Sequence, residues 1–202
     1  MTTTDYQEFL RDFLTAIHDR HPAPTRGYAY GSQADLLLQH GKWFASIGNY
    51  PGLPMGEMQF CFYNARKIVV ARPQRFTYYE GYALSRTTGL PHPHAWVADH
   101  NGLAWDVTWP IEEIRQNTAL VGIRVSKPVL DAHWRTCGGA SLLQDYYHDH
   151  PCLQVKYRDW NSLLISRLER LRQTHCLLEV AAGRMALLPD GSMTTVFTRD
   201  EL

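Results

Sequence analysis

The spacing of hydrophobic residues predicts helices near both ends of the chain and at its centre. In the first, a capping box of Thr4 and Gln7 precedes hydrophobic positions that recur every three or four residues, at Tyr6, Phe9, Leu10, Phe13, Leu14 and Ile17. Similar spacing, with Ser32 as a cap and Pro73 as a stop, predicts further helices. The predicted helices cover residues 5–20, 33–46, 61–72, 128–134 and 160–173.

Runs of β-branched and aromatic residues predict strands over residues 76–84 and 119–125. Between them, the stretch PHPHAWVADHNGLAWDVTWP predicts two strands joined by a turn at Asn101-Gly102. A helical turn is predicted over residues 111–116, and a last hairpin that turns at Asp190-Gly191. This order of elements, without repeats or an obvious linker, favours a single α+β domain over residues 1–202.

Composition and charge narrow the class of protein. The chain has 202 residues, of which 45% are hydrophobic, so it can bury a sizeable core. Its 20 basic residues balance 20 acidic ones, and no basic patch predicts binding to nucleic acid. No stretch approaches the roughly 20 apolar residues of a membrane-spanning helix.

The cysteines and the N-terminus favour a reducing compartment. Four widely spaced cysteines are too few for the disulfide framework of a small secreted protein. The N-terminal sequence MTTTDYQEFLRDF lacks the apolar core of a signal peptide, so we expect reduced thiols in a cytoplasmic protein. The final RDEL is similar to an endoplasmic-reticulum retention signal, which has no effect without entry into the secretory pathway.

Cys61, His94 and Asp106 are the candidate catalytic residues. A thiol becomes a strong nucleophile when a helix N-terminus and an imidazole stabilise its thiolate, and Cys61 opens a predicted helix. His94 and Asp106 lie on the two predicted strands of the central hairpin. The pattern predicts a nucleophile, its base and the residue that orients the base.

Four short motifs resemble the transglutaminase-like branch of the papain-like cysteine hydrolases. They are C-F-Y-N-A, E-G-Y-A, H-A-W-V and D-V-T-W, which together span about residues 59–110. The resemblance implies a core over about residues 55–125, in which a helix that begins with the nucleophilic Cys packs on an antiparallel sheet carrying His and Asp. In the resemblance, Cys61 is the nucleophile that attacks a peptide or protein amide and forms a thioester. His94 is the general base and acid, and Asp106 orients the imidazole. The resemblance implies no cofactor.

The catalytic hypothesis constrains the turn between His94 and Asp106. Side chains alternate along a strand, so a two-residue loop at Asn101-Gly102 would place these two residues on opposite faces of the sheet. A three-residue loop over 100–102, closed by a left-handed glycine, puts them on one face as diagonal neighbours. A five-residue loop would place them directly opposite each other. We therefore predict an odd loop with a positive φ at Gly102.

Other interpretations remain open for several of these residues. Gln59 is a candidate oxyanion donor beside the Cys61 backbone N–H, or a cap between loop and helix. Asn64 and Glu80 have ordinary structural uses, and one of Trp96, Trp105 and Trp109 is a candidate for the wall of the cleft. The alternatives to an enzyme are an inactive papain-like module that binds a peptide or protein, and a zinc protein. Two residue groups contain zinc-type ligands: Cys61, His92 and His94, and His148, His150 and Cys152.

Overall fold

A computed structural model describes residues 3–21, 23–44, 47–85, 87–110, 119–181, 185–187 and 193–195. Eight strands run through this part of the chain: β1 (Lys42–Phe44), β2 (Ile47–Gly48), β3 (Phe76–Leu84), β4 (Pro91–Asp99), β5 (Ala104–Trp105), β6 (Leu120–Val125), β7 (Met185–Leu187) and β8 (Met193–Thr195). The α-helices are α1 (Thr3–Arg20), α2 (Gln33–His40), α3 (Cys61–Ala71), α4 (Lys127–Cys137) and α5 (Ile165–Ala181). The predicted α+β class is confirmed.

A six-stranded sheet in the order β1-β6-β3-β4-β5-β2 organises the fold. Its pairs are antiparallel except for β2 and β5, which run parallel. The central strands β3, β4 and β6 are buried over most of their length, as expected for residues with helices or loops on both sides. The predicted C-terminal hairpin exists as the separate pair β7–β8, although the residues of its turn lie outside the described residues.

The alternation of side chains along the central strands builds a hydrophobic layer on each face of the sheet. One face carries Tyr78, Val97 and Ile123 into the main core, where helix residues join them. The other face carries Tyr79, Trp96 and Ala98 into a smaller aromatic cluster with Phe44. His94 lies on the face of Trp96 and Ala98, because alternate residues of a strand share a face and all three have even numbers along β4.

Helix α3 forms where its hydrophobic spacing predicts. The buried positions Cys61, Ala65, Ile68 and Val69 are the predicted inner face, and Asn64 joins them. The helix ends at Ala71, just before Pro73. Cys61 is the first residue of this helix and lies at the end of the central sheet.

Several helix boundaries differ from the prediction, among them the end of α4, which lies at Cys137 rather than at residue 134. Helix α1 already contains Thr4, which was the predicted cap, and α5 continues past residue 173 to Ala181 after a π-helical turn over Trp160–Leu164. Helix α2 keeps the predicted cap, since Ser32 Oγ accepts a hydrogen bond from the Asp35 N–H at 3.1 Å, but it ends at His40 rather than at residue 46. Gly41 has extended backbone angles, and the chain then pairs with β6.

The helical turn predicted over residues 111–116 lies outside the described residues. Among the helices that are described, none combines the length and hydropathy required to cross a membrane.

Candidate functional site

The central hairpin has the odd loop that the catalytic hypothesis requires. Ala98 pairs with Ala104 and Val97 with Trp105, which leaves a three-residue loop over 100–102 beyond the pair formed by Asp99 and Leu103. Gly102 has a φ of 77° and donates its N–H to the carbonyl of Asp99 at 2.9 Å. The predicted turn, with its left-handed glycine, is confirmed. It places His94 and Asp106 on the same face of the sheet.

His94 and Asp106 form a buried ion pair. Nε2 of His94 lies 2.7 Å from Oδ2 of Asp106, and the two residues are only 2% and 0% exposed. This contact leaves Nδ1 as the imidazole nitrogen that can exchange a proton with a thiol.

The ion pair changes the pKa of both partners. Burial alone would lower the pKa of His94, but the charge and hydrogen bond of Asp106, together with the Cys61 thiol, raise it to about 10. Burial opposes ionisation of Asp106, yet the charge of His94 and the surrounding hydrogen bonds lower its pKa. The pair is therefore an imidazolium and a carboxylate near neutral pH.

Asp106 is also held by the backbone around it. Its Oδ1 accepts the N–H of Thr108 at 2.7 Å and that of Trp109 at 3.2 Å. Its own N–H donates to the carbonyl of Gly48 at 2.8 Å, which extends the pairing of β2 with β5. The motif D-V-T-W is thus a turn that closes on its own carboxylate.

Cys61 reaches the imidazole from the N-terminus of α3. The Cys61 thiol lies close enough to His94 to raise the pKa of its imidazole; both residues line the same cleft, and Cys61 is 7% exposed. Phe60, the N-cap residue of this helix, makes no side-chain cap hydrogen bond, so the side chain of the N-cap does not satisfy the first N–H groups of the helix. The segment before Cys61 is fixed by the Gly56 N–H, which donates to the carbonyl of Val107 at 2.6 Å.

A cleft of about 660 Å³ opens over these residues. Cys61 and His94 line it together with Gln59, His92 and Trp109. The exposed side chain of Met58 stands at its edge. The cleft therefore gives an extended ligand access to the thiol and the imidazole.

Gln59 lies in the cleft with an unusual backbone conformation. Its φ of 71° is in the left-handed region, which costs a residue with a Cβ roughly 1–2 kcal/mol. The N-cap residue of α3 is Phe60, so Gln59 lies one position before the cap. Its position in the wall of the cleft agrees with the alternative of a donor to a ligand.

The sequence indicated the role of Asn64 but not that of Trp109. Trp109 stacks on His94 with ring centroids 4.4 Å apart and lines the cleft, so it is the tryptophan that the sequence could not single out. Asn64 has the structural use expected of it, since its Nδ2 donates to the Glu57 carbonyl at 2.7 Å and to Thr108 Oγ1 at 3.1 Å. These bonds tie the first turn of α3 to the strand end that carries Asp106.

Glu80 also has the structural use expected of it. It is 1% exposed, and its carboxylate accepts hydrogen bonds from Tyr78 Oη, Ser141 Oγ and the Leu143 N–H. It connects the sheet with the segment after α4.

The structure does not gather the second zinc group predicted from the sequence. His150 packs its ring against Tyr146, and Cys152 Sγ donates to the carbonyl of Leu142 at 3.3 Å, whereas His148 bonds to Asp145. In the first group, His92 Nε2 lies 2.8 Å from Thr88 Oγ1 and belongs to the wall of the cleft. Neither group forms a closed metal site among the described residues.

Comparisons of the chain with protein-family models, with curated proteins and with solved structures find no match.

Proposed function

We propose that the protein is a thiol-dependent acyl-transfer enzyme with Cys61 as nucleophile, His94 as general base and acid, and Asp106 as the residue that orients the imidazole. The observation that carries the proposal is the buried contact of 2.7 Å between His94 and Asp106, with the Cys61 thiol beside the same imidazole at the N-terminus of a helix. A buried histidine needs no such arrangement for packing alone. The likeness of the four sequence motifs to transglutaminase-like hydrolases adds support and suggests the same papain-like core.

The reaction follows from the positions of the three side chains. The imidazolium of His94 stabilises the Cys61 thiolate, which attacks the carbonyl carbon of an amide and forms a tetrahedral oxyanion. His94 then gives its proton to the leaving amine, and the C–N bond breaks to leave a thioester on Cys61. Water or a second amine, deprotonated by His94, resolves the thioester. Asp106 holds the proton on Nε2, so that Nδ1 carries out each transfer.

The oxyanion requires hydrogen-bond donors that are already in place. The Cys61 backbone N–H at the uncapped end of α3 is one donor in the proposal. The carboxamide of Gln59 is the second, since the strained backbone holds this residue in the cleft two positions before the thiol.

The proposed substrate is an amide bond in a peptide or protein. The cleft has a volume of about 660 Å³, and Met58 in its wall is 61% exposed. An extended chain with an apolar side chain fits such a surface. We expect the enzyme to work in the cytoplasm, where its thiols remain reduced.

The reactivity of Cys61 tests the proposal. At pH near 7, we expect iodoacetamide to alkylate Cys61 at least about tenfold faster than Cys137 and Cys152, because burial raises the pKa of both of the latter thiols. Mass spectrometry of tryptic peptides measures each rate. In His94→Gln the Cys61 rate should fall by at least about tenfold, since the imidazolium that stabilises the thiolate is lost. His92→Gln is the matched control on the same strand and cleft, and it should leave the rate unchanged.

An acyl-enzyme test completes the experiment. Incubation with p-nitrophenyl acetate should add one acetyl group to Cys61 in the wild type and none in Cys61→Ala, as seen by intact mass. Slow alkylation of an accessible Cys61 in folded protein, together with no acetyl adduct, would instead support the module that only binds a peptide.

A further inference from the structure

A second group of chemically active side chains lies at the end of α4, apart from the cleft. His133 and Cys137 are one helical turn apart on α4, so they share a face. Asp145 accepts the N–H of His148 and begins the short 3₁₀ turn Tyr146–His148. The chain returns past Gly138 and Gly139 and brings both of these residues against that face of α4.

The donor atoms of this group converge. The ligand atoms of His133, Cys137 and Asp145 all lie within 4.8 Å of one another. Sγ of Cys137 is 3.1 Å from Oδ2 of Asp145 and 3.4 Å from Nδ1 of His148. Nδ1 of His148 is 2.8 Å from Oδ1 of Asp145. For comparison, the ligand atoms of a tetrahedral zinc ion with bonds of about 2.0–2.3 Å are roughly 3.3–3.7 Å apart.

His133 supplies an independent observation. The residue is 2% exposed, and its Nε2 has no hydrogen-bond partner among the described residues. This nitrogen is 3.7 Å from Oδ2 of Asp145, which is too long for a hydrogen bond. A buried polar nitrogen without a partner costs free energy unless another group, such as a metal ion, satisfies it.

We propose that His133, Cys137, Asp145 and His148 bind one Zn²⁺ ion in a tetrahedral site with a structural role. The set supplies two imidazole nitrogens, one thiolate and one carboxylate oxygen, all of which are accepted zinc ligands. The charges of the thiolate and carboxylate balance the charge of the ion, so the buried site as a whole is neutral. Four protein ligands close the coordination sphere, as in structural rather than catalytic zinc sites.

Binding requires one change of protonation. Sγ of Cys137 donates to Oδ2 of Asp145 at 3.1 Å, so the metal-free protein keeps the S–H bond. Zinc forms a bond to Sγ in place of this proton, which leaves to solvent. For Nδ1 of His148 to bind the ion, the neutral imidazole carries its proton on Nε2 instead of sharing it with Asp145. The oxidation states of sulfur and zinc do not change.

The ion would fasten the segment after α4 to the helix. The same segment carries Ser141 and Leu143, which donate hydrogen bonds to the carboxylate of Glu80 in β3. The zinc ion and Glu80 would therefore hold the segment at two points. The zinc site contains none of Cys61, His94 and Asp106. Its test therefore does not depend on the proposed function.

Metal content and Co²⁺ spectroscopy of the full chain test the proposal. Protein purified without chelators should contain about one equivalent of zinc by inductively coupled plasma mass spectrometry. After removal of zinc, titration with Co²⁺ should give the intense visible bands of tetrahedral cobalt and a thiolate-to-cobalt charge-transfer band, both saturating at one equivalent. Added Zn²⁺ should abolish these bands and raise the melting temperature of the metal-free wild type.

Variants locate the site. Cys137→Ser should remove the charge-transfer band, and His133→Gln should weaken Co²⁺ binding at least about tenfold. His150→Ala and Cys152→Ala are matched controls from the neighbouring segment, and Cys61→Ala is the control for the cleft; all three should bind one equivalent as the wild type does. If Cys137→Ser fails to fold, the titration of the wild type and of the three controls still decides the matter. Wild-type protein that shows no charge-transfer band with Co²⁺ would overturn the proposal, as would a band that survives Cys137→Ser or disappears in Cys61→Ala.

Discussion

The carboxylate of Asp106 makes two kinds of contact. Its Oδ2 pairs with Nε2 of His94, and its Oδ1 accepts the backbone N–H groups of Thr108 and Trp109. Asp106→Asn keeps a side chain of the same shape but removes the charge and presents an amide that can donate as well as accept. We expect the thioester-forming activity to fall by about 10²–10⁴-fold, because the imidazole loses both its tautomer control and its ion-pair partner. Alkylation and acetylation rates of Cys61 measure the effect.

Asp99→Asn is the matched control for that substitution. Asp99 lies on the same hairpin, and its Oδ1 accepts the N–H groups of Asn101 and Leu103, a role that an asparagine oxygen can retain. Equal losses of Cys61 reactivity in the two variants would mean that Asp106 acts only by supporting the hairpin.

The His94–Asp106 pair also predicts how stability depends on pH. The pKa of His94 is raised from 6.5 to about 10, so its contribution to stability is complete below about pH 6.5 and is lost as the pH rises toward 10. The pKa of Asp106 is lowered, so its contribution is present above its ordinary pKa and is lost as the pH falls below it. The difference in unfolding free energy between the wild type and His94→Gln should therefore decrease from about pH 6.5 to about pH 10. Urea unfolding at several pH values measures it, and a difference that grows over this range would contradict the ion pair.

The sequence predicted those residues of the cleft that belong to a short sequence motif. Cys61, His94 and Asp106 stand in short motifs, and strand alternation was enough to connect the last two. Trp109 could not be distinguished from its neighbours, because which of three tryptophans stacks on an imidazole depends on the path of the chain after β5. The sequence indicated His148 as a zinc-type ligand but not its partners. His133 and Cys137 lie before Gly138 and Gly139, and the only sign of them was their spacing on a helix face.

At the scale of the elements, the close approach of β3 and β6 limits which residues can occupy their contact. Gly81 pairs with Gly122 of β6 on one side and with His94 of β4 on the other. A Cβ at Gly81 would lie 2.0 Å from the carbonyl oxygen of Val121, and backbone atoms of a central strand cannot move away without opening the ladder.

Gly81→Ala should therefore destabilise the protein by about 3 kcal/mol or more, through overpacking within the sheet. Gly89→Ala is the control, since Gly89 has a φ of +67° but no atom within 4 Å of the added Cβ. It should cost only about 1–2 kcal/mol, the price of a left-handed alanine. Urea unfolding of both variants gives the comparison, and a Gly81→Ala protein as stable as the control would show that β3 and β6 can separate.

Element types were more predictable than their limits. The amphipathic spacing of α3 and the β-branched and aromatic runs of β3 and β6 were sufficient, because local preference and burial agree in those segments. Helix α2 was predicted too long because the spacing continued past Gly41. The pairing of Lys42–Phe44 with β6 determines that part of the chain, and a contact across about 80 residues leaves no local pattern.

At the scale of the whole molecule, Glu80 joins the central sheet to the chain that follows α4. Its carboxylate satisfies donors on Tyr78, Ser141 and Leu143 in a dry environment. Glu80→Ala should lower the unfolding free energy by about 3 kcal/mol or more, because these donors would remain buried without an acceptor. Glu80→Gln should cost less, since its oxygen can still accept from Ser141 and Leu143. Urea unfolding separates the two variants.

Glu80 lies in the motif E-G-Y-A, which belongs to the catalytic hypothesis. A further measurement therefore distinguishes a structural role of Glu80 from a role in the proposed reaction. In folded Glu80→Gln protein the alkylation rate of Cys61 should equal that of the wild type. A loss of Cys61 reactivity without a loss of stability would instead assign Glu80 to the reaction.

The hydrogen bonds from Asp106 to Gly48 and from Gly56 to Val107 have a consequence for the motion of the cleft. They fasten the segment that leads to Cys61, at two points, to adjacent residues of the chain that carries the carboxylate. A displacement of this edge of the sheet would therefore carry the thiol and the carboxylate in the same direction. The imidazole belongs to β4, the next strand inward, so the separation of β4 and β5 sets its distance from the carboxylate, whereas the thiol lies on α3, which packs against β4 itself. A ligand that wedges these two strands apart would separate the imidazole from the carboxylate without touching either side chain.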